Sequence, residues 1–112
     1  MLDEEVYRKL QRMMPPAALA EVYDVCLRDV RERAAQMVAL AQEGSEDLAE
    51  VRRLAHAIKG GAGMVGASRL AQAAAELELG GYRRNDLAEL INNLLIRCNE
   101  LQRILVTKVP VP

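Results

Sequence analysis

Residues 48–66 read LAEVRRLAHAIKGGAGMVG, and the phase of their apolar positions decides the fold. Leu48, Val51, Ala55, Ile58, Ala62 and Val65 follow one another at spacings of 3, 4, 3, 4 and 3. That is the period of an amphipathic helix, not of a strand. The stripe runs through Gly60, Gly61 and Gly63 and stops at Gly66. Gly61, Gly63 and Gly66 also spell G-x-G-x-x-G. A dinucleotide-binding turn needs a strand before its first glycine and an acidic residue about twenty positions on. Here a segment of helical period carrying Arg, Glu and Lys comes first, so there is no βαβ unit to host such a turn.

The flanking segments carry the same period. From Pro16 to Gln42, Leu19, Val22, Cys26, Val30, Ala34, Met37 and then Leu40 or Ala41 form a stripe. Proline suits the first turn of that helix, Gly44 ends it, and Ser45 opens the next. Downstream, ASRLAQAAAELEL turns Leu70, Ala74 and Leu77 inward and stops at Gly80 and Gly81. A last helix, capped by Asn85 or Asp86, carries Leu87, Leu90 or Ile91, Leu94, Cys98, Leu101 and Leu105 to about Thr107. In front, a helix over about 3–13 has Asp3 as its cap and Val6, Leu10 and Met13 on one side. It ends before Pro15, because proline disfavours helix at the residue preceding it. The expectation is an all-α domain spanning 1–112. It comprises an antiparallel up-down-up-down four-helix bundle over about 16–107, a short extra N-terminal helix, and a frayed tail over 108–112.

Composition agrees. With no Phe or Trp, the core must be built from Leu, Ala, Val, Ile and Met, mostly good helix formers. A net charge of −1 lacks the basic surplus of a nucleic-acid-binding domain, so no nucleic-acid partner is expected. No run of apolar residues is long enough to span a bilayer and the N-terminus is acidic, so neither direct membrane contact nor a signal peptide is expected. Cys26 and Cys98 stand far apart among apolar residues and read as reduced thiols. Two Cys and one His do not make a four-ligand zinc site.

The one histidine, His56, projects roughly 130° from the centre of its helix's apolar stripe. It therefore faces solvent or a partner. Arg52, Arg53, Lys59 and Gly60 are its neighbours three and four positions away, and Gly63 lies one turn further along the same side. Glycine inside a helix costs about 1 kcal/mol relative to alanine, so three of them cost about 2–3 kcal/mol. In so alanine-rich a chain, close approach of another surface to His56 would account for that cost. A frayed helix end would account for it too.

Residues 55–78, AHAIKGGAGMVGASRLAQAAAELE, resemble the phosphorylation segment of histidine-containing phosphotransfer (HPt) domains. That family's pattern is H-x-hydrophobic-K-G-small-small, a glycine several residues on, then a helix ending near LE. His56, Ile58, Lys59, Gly60, Gly61, Ala62 and Gly66 fit it without gaps. Elsewhere the resemblance is one of helix number, length and order. It is closer to the C-terminal HPt domains of bacterial hybrid sensor histidine kinases than to those of chemotaxis kinases.

The resemblance implies that His56 accepts a phosphoryl group on Nε2, that Lys59 stabilises the phosphoryl oxygens, and that Gly60 and Gly63 leave room for a docking partner. Glu78 would orient the imidazole by accepting a hydrogen bond from Nδ1–H; the plainer reading is a solvated carboxylate. Arg52 and Arg53 either add favourable charge or are ordinary solvated arginines. Val6, Leu10 and Met13, with Leu2, either help dock the partner or only cap the bundle end. The implied partner is a response-regulator receiver domain, which would supply the Mg ion; no cofactor of this domain's own is expected. The domain would be a monomeric phosphorelay intermediate without kinase activity, acting in the cytoplasm, alone or as the cytoplasmic end of a membrane-anchored kinase. The alternative is a helical adaptor or dimerisation module without chemistry.

Overall fold

The computed structural model describes residues 1–44 and 48–108. Among them the regular elements are α1 (Glu4–Met13), α2 (Pro16–Gln42), α3 (Ala49–Met64), α4 (Ser68–Leu79) and α5 (Leu87–Lys108), with a 3-10 turn, Arg84–Asp86, leading into α5. There is no strand among these residues, only one antiparallel bridge between Leu2 and Ala67. The expected helix start at Ser45 and the tail 109–112 lie outside the described residues. Lys108, expected in the tail, is the last residue of α5.

Local chemistry accounts for the boundaries. Asp3 Oδ1 accepts from the backbone N–H groups of Glu5 (2.9 Å) and Val6 (3.3 Å), capping α1. Met14, ahead of two prolines, is extended at φ −151°, ψ 154°, and breaks α1 from α2. α2 then ends under a distant side chain: the Arg84 guanidinium donates to the carbonyls of Gly44 (2.5 Å) and Ala41 (3.0 Å). Asp86, one of the two caps expected for α5, is the last residue of the 3-10 turn before it. Its Oδ2 accepts from the Arg83 N–H at 3.2 Å, closing the preceding 3-10 turn.

α3 packs on α4, α4 on α5, α5 on α2 and α2 on α3, closing a ring of four helices, while α1 lies against α2. Two stripes differ from expectation. On α2 the buried residues are Leu19, Tyr23, Leu27, Val30, Ala34 and Met37; Val22 and Cys26 are only half-buried. Either set satisfies a 3-4 spacing, so periodicity alone leaves the phase open by one residue. Tyr23 decides it. Its hydroxyl donates to the Val65 carbonyl at 2.8 Å, and its ring packs against that of Tyr7 at 6.1 Å. On α1 the buried residue is correspondingly Tyr7, with Val6 and Leu10 half-buried and Met13 exposed.

The N-terminal arm reaches across the turn between α3 and α4. Asp3 N–H donates to the Gly66 carbonyl (2.7 Å), Ser68 N–H donates to the Met1 carbonyl (3.2 Å), and Leu2 is buried. Gly66, at φ +74°, makes this close approach possible, since a Cβ there would lie 2.9 Å from Val6 Cβ.

Candidate functional site

The site is built on two adjacent helices. α3 continues as helix through Gly60, Gly61 and Gly63, holding Val51, Leu54, Ala55, Ile58 and Ala62 in the core. That anchoring turns His56 outward, with 72% of its side chain exposed. α4 runs beside it with Leu70, Ala73, Ala74 and Leu77 buried, which leaves Glu78 at the edge facing α3.

Glu78 joins two of the expected residues. Its Oε1 lies 2.7 Å from His56 Nδ1, and its Oε2 lies 2.9 Å from Lys59 Nζ. Oε2 is covered, and its contact with the ammonium is an ion pair rather than a well-aligned hydrogen bond. The Lys59 ammonium, and after it the His56 ring, hold the Glu78 carboxyl below the usual carboxylate range, against the opposing pull of desolvation. An ionised carboxylate can only accept, so the proton in this contact belongs to Nδ1. The Nε2 lone pair of a neutral imidazole then points away from Glu78, toward solvent.

The glycines beside this group serve no internal packing. A Cβ built at Gly60, Gly61 or Gly63 would meet nothing within 4 Å. The surface next to His56 is therefore bare helix backbone open to an incoming body.

The remaining expected residues scatter. Arg53 pairs with Glu50 at 3.3 Å on its own helix. Arg52 reaches toward the end of α4, where its guanidinium would lie 3.3 Å from a Cβ at Gly80. Val6 packs at Gly66 and Leu10 against the core. Met13 remains 66% exposed.

A groove of about 270 Å³ between α2 and α3, lined by Val22, Val25, Cys26, Gly61, Met64 and Val65 among others, escaped the sequence reading. Met64 was legible from the α3 helical phase, which puts it just off the His56 face; it is 78% exposed. The α2 members were not, because only helix pairing brings Val22, Val25 and Cys26 against the end of α3. Burial pushes the Cys26 thiol up to about 11, so it is a poor nucleophile there despite its place in the groove.

Among the described residues, no group of three or more His, Cys, Asp or Glu side chains is placed to hold a metal ion, and no helix is long and apolar enough to cross a membrane. Neither a curated protein nor a solved structure matches the chain. The family model of the Hpt domain does, over residues 21–105, from early in α2 to the last turn of α5. The chain therefore belongs to the Hpt domain family, which implies histidine phosphotransfer in two-component signalling.

Proposed function

We propose that His56 is the phosphoacceptor, taking a phosphoryl group on Nε2 from an aspartyl phosphate of one receiver domain and yielding it to the aspartate of another. The observation that carries this is the Glu78 contact: at 2.7 Å from Nδ1 it leaves Nε2 as the exposed nucleophile. Phosphoryl transfer asks mainly for in-line placement and charge stabilisation. Lys59, one turn along and within reach of the same carboxylate, is suited to neutralise phosphoryl oxygens. Magnesium and the remaining catalytic groups would come from the receiver, whose docking would use the bare backbone at Gly60 and Gly63. Val22, Val25 and Met64, which share a groove with Gly61, would form the apolar part of the docking surface, with Met13 at its margin and Arg52 and Arg53 adding positive charge.

In this reading the ring of helices is an antiparallel up-down-up-down bundle, with the domain acting as a monomer. Early α2 meets late α3 at Tyr23–Val65, mid α2 meets late α5 at Arg31–Asn99, and early α4 meets late α5 at Arg69–Glu100. The resemblance of residues 55–78 favours the C-terminal relay domain of a cytoplasmic or membrane-anchored hybrid kinase. A receiver and a kinase core encoded upstream would support that context.

The test is incubation with a receiver carrying radiolabelled aspartyl phosphate. The expected product is an acid-labile, base-stable phosphate on this chain, absent from His56→Gln. Retention of the label by His56→Gln would remove His56 from the role, and no label on either protein would favour an adaptor without chemistry.

A further inference from the structure

Glu78 is the last residue but one of α4, in the turn where a helix runs out of backbone partners for its carbonyls. Leu77 is the last side chain of α4 in the core, and Leu79 is 84% exposed. Among the described residues, no backbone N–H of residues 80–83 donates to a carbonyl of that turn. Helix ends left in this condition fray. A contact of 2.7 Å between Glu78 and the His56 ring needs the turn held in place.

The closing bond comes from a side chain. Gly80 (φ +73°) and Gly81 (φ +79°) turn the chain back on itself, and the Tyr82 hydroxyl donates to the Leu77 carbonyl at 3.0 Å. Tyr82 is half-buried and its ring packs against the core, so this cap is anchored in the bundle rather than in the loop. Burial pushes the phenol up, against an opposing pull from Arg52, and the hydroxyl stays a protonated donor throughout the neutral range. Arg52 flanks the same turn from α3, its guanidinium 3.3 Å from where a Cβ at Gly80 would lie.

We propose that Tyr82 is a positioning residue for phosphotransfer: by capping the Leu77 carbonyl it fixes the last turn of α4, and so sets where the Glu78 carboxylate meets the His56 ring. The inference rests on the phosphotransfer reading above. Tyr82 lies outside residues 55–78, the segment that carries the resemblance, and it touches neither His56 nor Glu78 in any hydrogen bond. Its effect passes through the backbone at Leu77, one residue before Glu78. A reacting group displaced by about 1 Å is enough to slow a positioned reaction many-fold.

Tyr82→Phe keeps the ring and removes only the hydroxyl. The tautomer of neutral His56 would be read by 15N NMR. Labelling would be timed with phosphoramidate, a small donor that loses ammonia as its P–N bond breaks, so that no protein partner is needed. Tyr82→Phe is expected to keep the helicity of the wild-type chain. It should lower the ratio of Nδ1–H to Nε2–H imidazole about fivefold, the worth of one hydrogen bond, and slow labelling of His56 by a similar factor. In Glu78→Ala, which has no carboxylate to place, adding Tyr82→Phe should change the labelling rate by less than about twofold. A wild-type tautomer ratio in Tyr82→Phe, even with a lowered Tm, would reduce Tyr82 to a structural cap and overturn the inference. So would an equal slowing in the Glu78→Ala background; both results leave His56 as acceptor. A wild-type chain that takes no label at His56 would overturn the phosphotransfer reading and this inference together.

Discussion

At the scale of single residues, the site is economical: one nucleophile, one ammonium and one carboxylate joining them. The carboxylate's state is the measurable link. Lys59 is the largest cause of the depressed Glu78 proton affinity. Lys59→Met should therefore move the Glu78 carboxyl titration, followed by 13C NMR, up toward its ordinary value of 4.5. A group depressed in the folded state contributes stability that is present above its unfolded value and lost as pH falls through the folded one. This pair accordingly weakens only on the acid side, below 4.5. The glycines beside it make an opposite-signed prediction. Because a Cβ at Gly60 or Gly63 would meet no atom within 4 Å beyond its own helix backbone, alanine at either position should stabilise the helix by about 1 kcal/mol. Transfer from a phosphorylated receiver should nevertheless slow, on the order of tenfold for a docked surface displaced by one methyl. Thermal melts alongside transfer kinetics check both halves; a variant that melts lower would show that these glycines serve the fold.

At the scale of elements, the α3–α4 turn is where tolerance ends. Gly66 combines a left-handed backbone with a close approach of α1, a Cβ there lying 2.9 Å from Val6 Cβ and 3.2 Å from Asp3 Cβ. Gly66→Ala should cost about 1–2 kcal/mol in backbone conformation alone, and more through displacement of the N-terminal arm. The expected drop in Tm is on the order of 10 °C, against a rise for Gly60→Ala. Comparing two glycine-to-alanine changes six positions apart in one motif separates a glycine needed by the chain from one left open for a partner. The helices themselves were legible, because capping and proline chemistry act within a few residues: Asp3, Met14 and Gly80 end or begin elements where the sequence predicts. Arg84 was not legible as the cap of α2, since it acts across 40 residues of chain.

At the scale of the whole molecule, Tyr23 ties three helices together by packing on Tyr7 and donating to the end of α3. Burial, with smaller help from Tyr7, Cys26 and Glu4, pushes its phenol from 10.0 up to about 12. For a group raised in the folded state, the stabilisation is complete below the unfolded value and lost as pH rises through the folded one. Helicity followed by circular dichroism should hold below pH 10 and fall between 10 and about 12. Tyr23→Phe should flatten that alkaline dependence. It should also lower neutral-pH stability by about 1 kcal/mol through the lost bond to Val65. An unchanged alkaline limb in Tyr23→Phe would show that other groups govern it.

Sequence alone determined the α class, the limits of α1 and the stop of α4 at Gly80, the outward face of His56, and the likeness of residues 55–78 to a phosphorylation segment. Each rests on interactions within a turn or two of chain, where spacing and residue type are sufficient. Tertiary structure decided the rest: which of two phases α2 buries, that Leu2 and Tyr7 join the core, that Val22, Val25 and Cys26 line a groove with the end of α3, and that Glu78 meets both His56 and Lys59. Helix periodicity leaves a one-residue ambiguity in phase, and a contact such as His56–Glu78, spanning 22 residues, exists only once two helices have chosen how to pack.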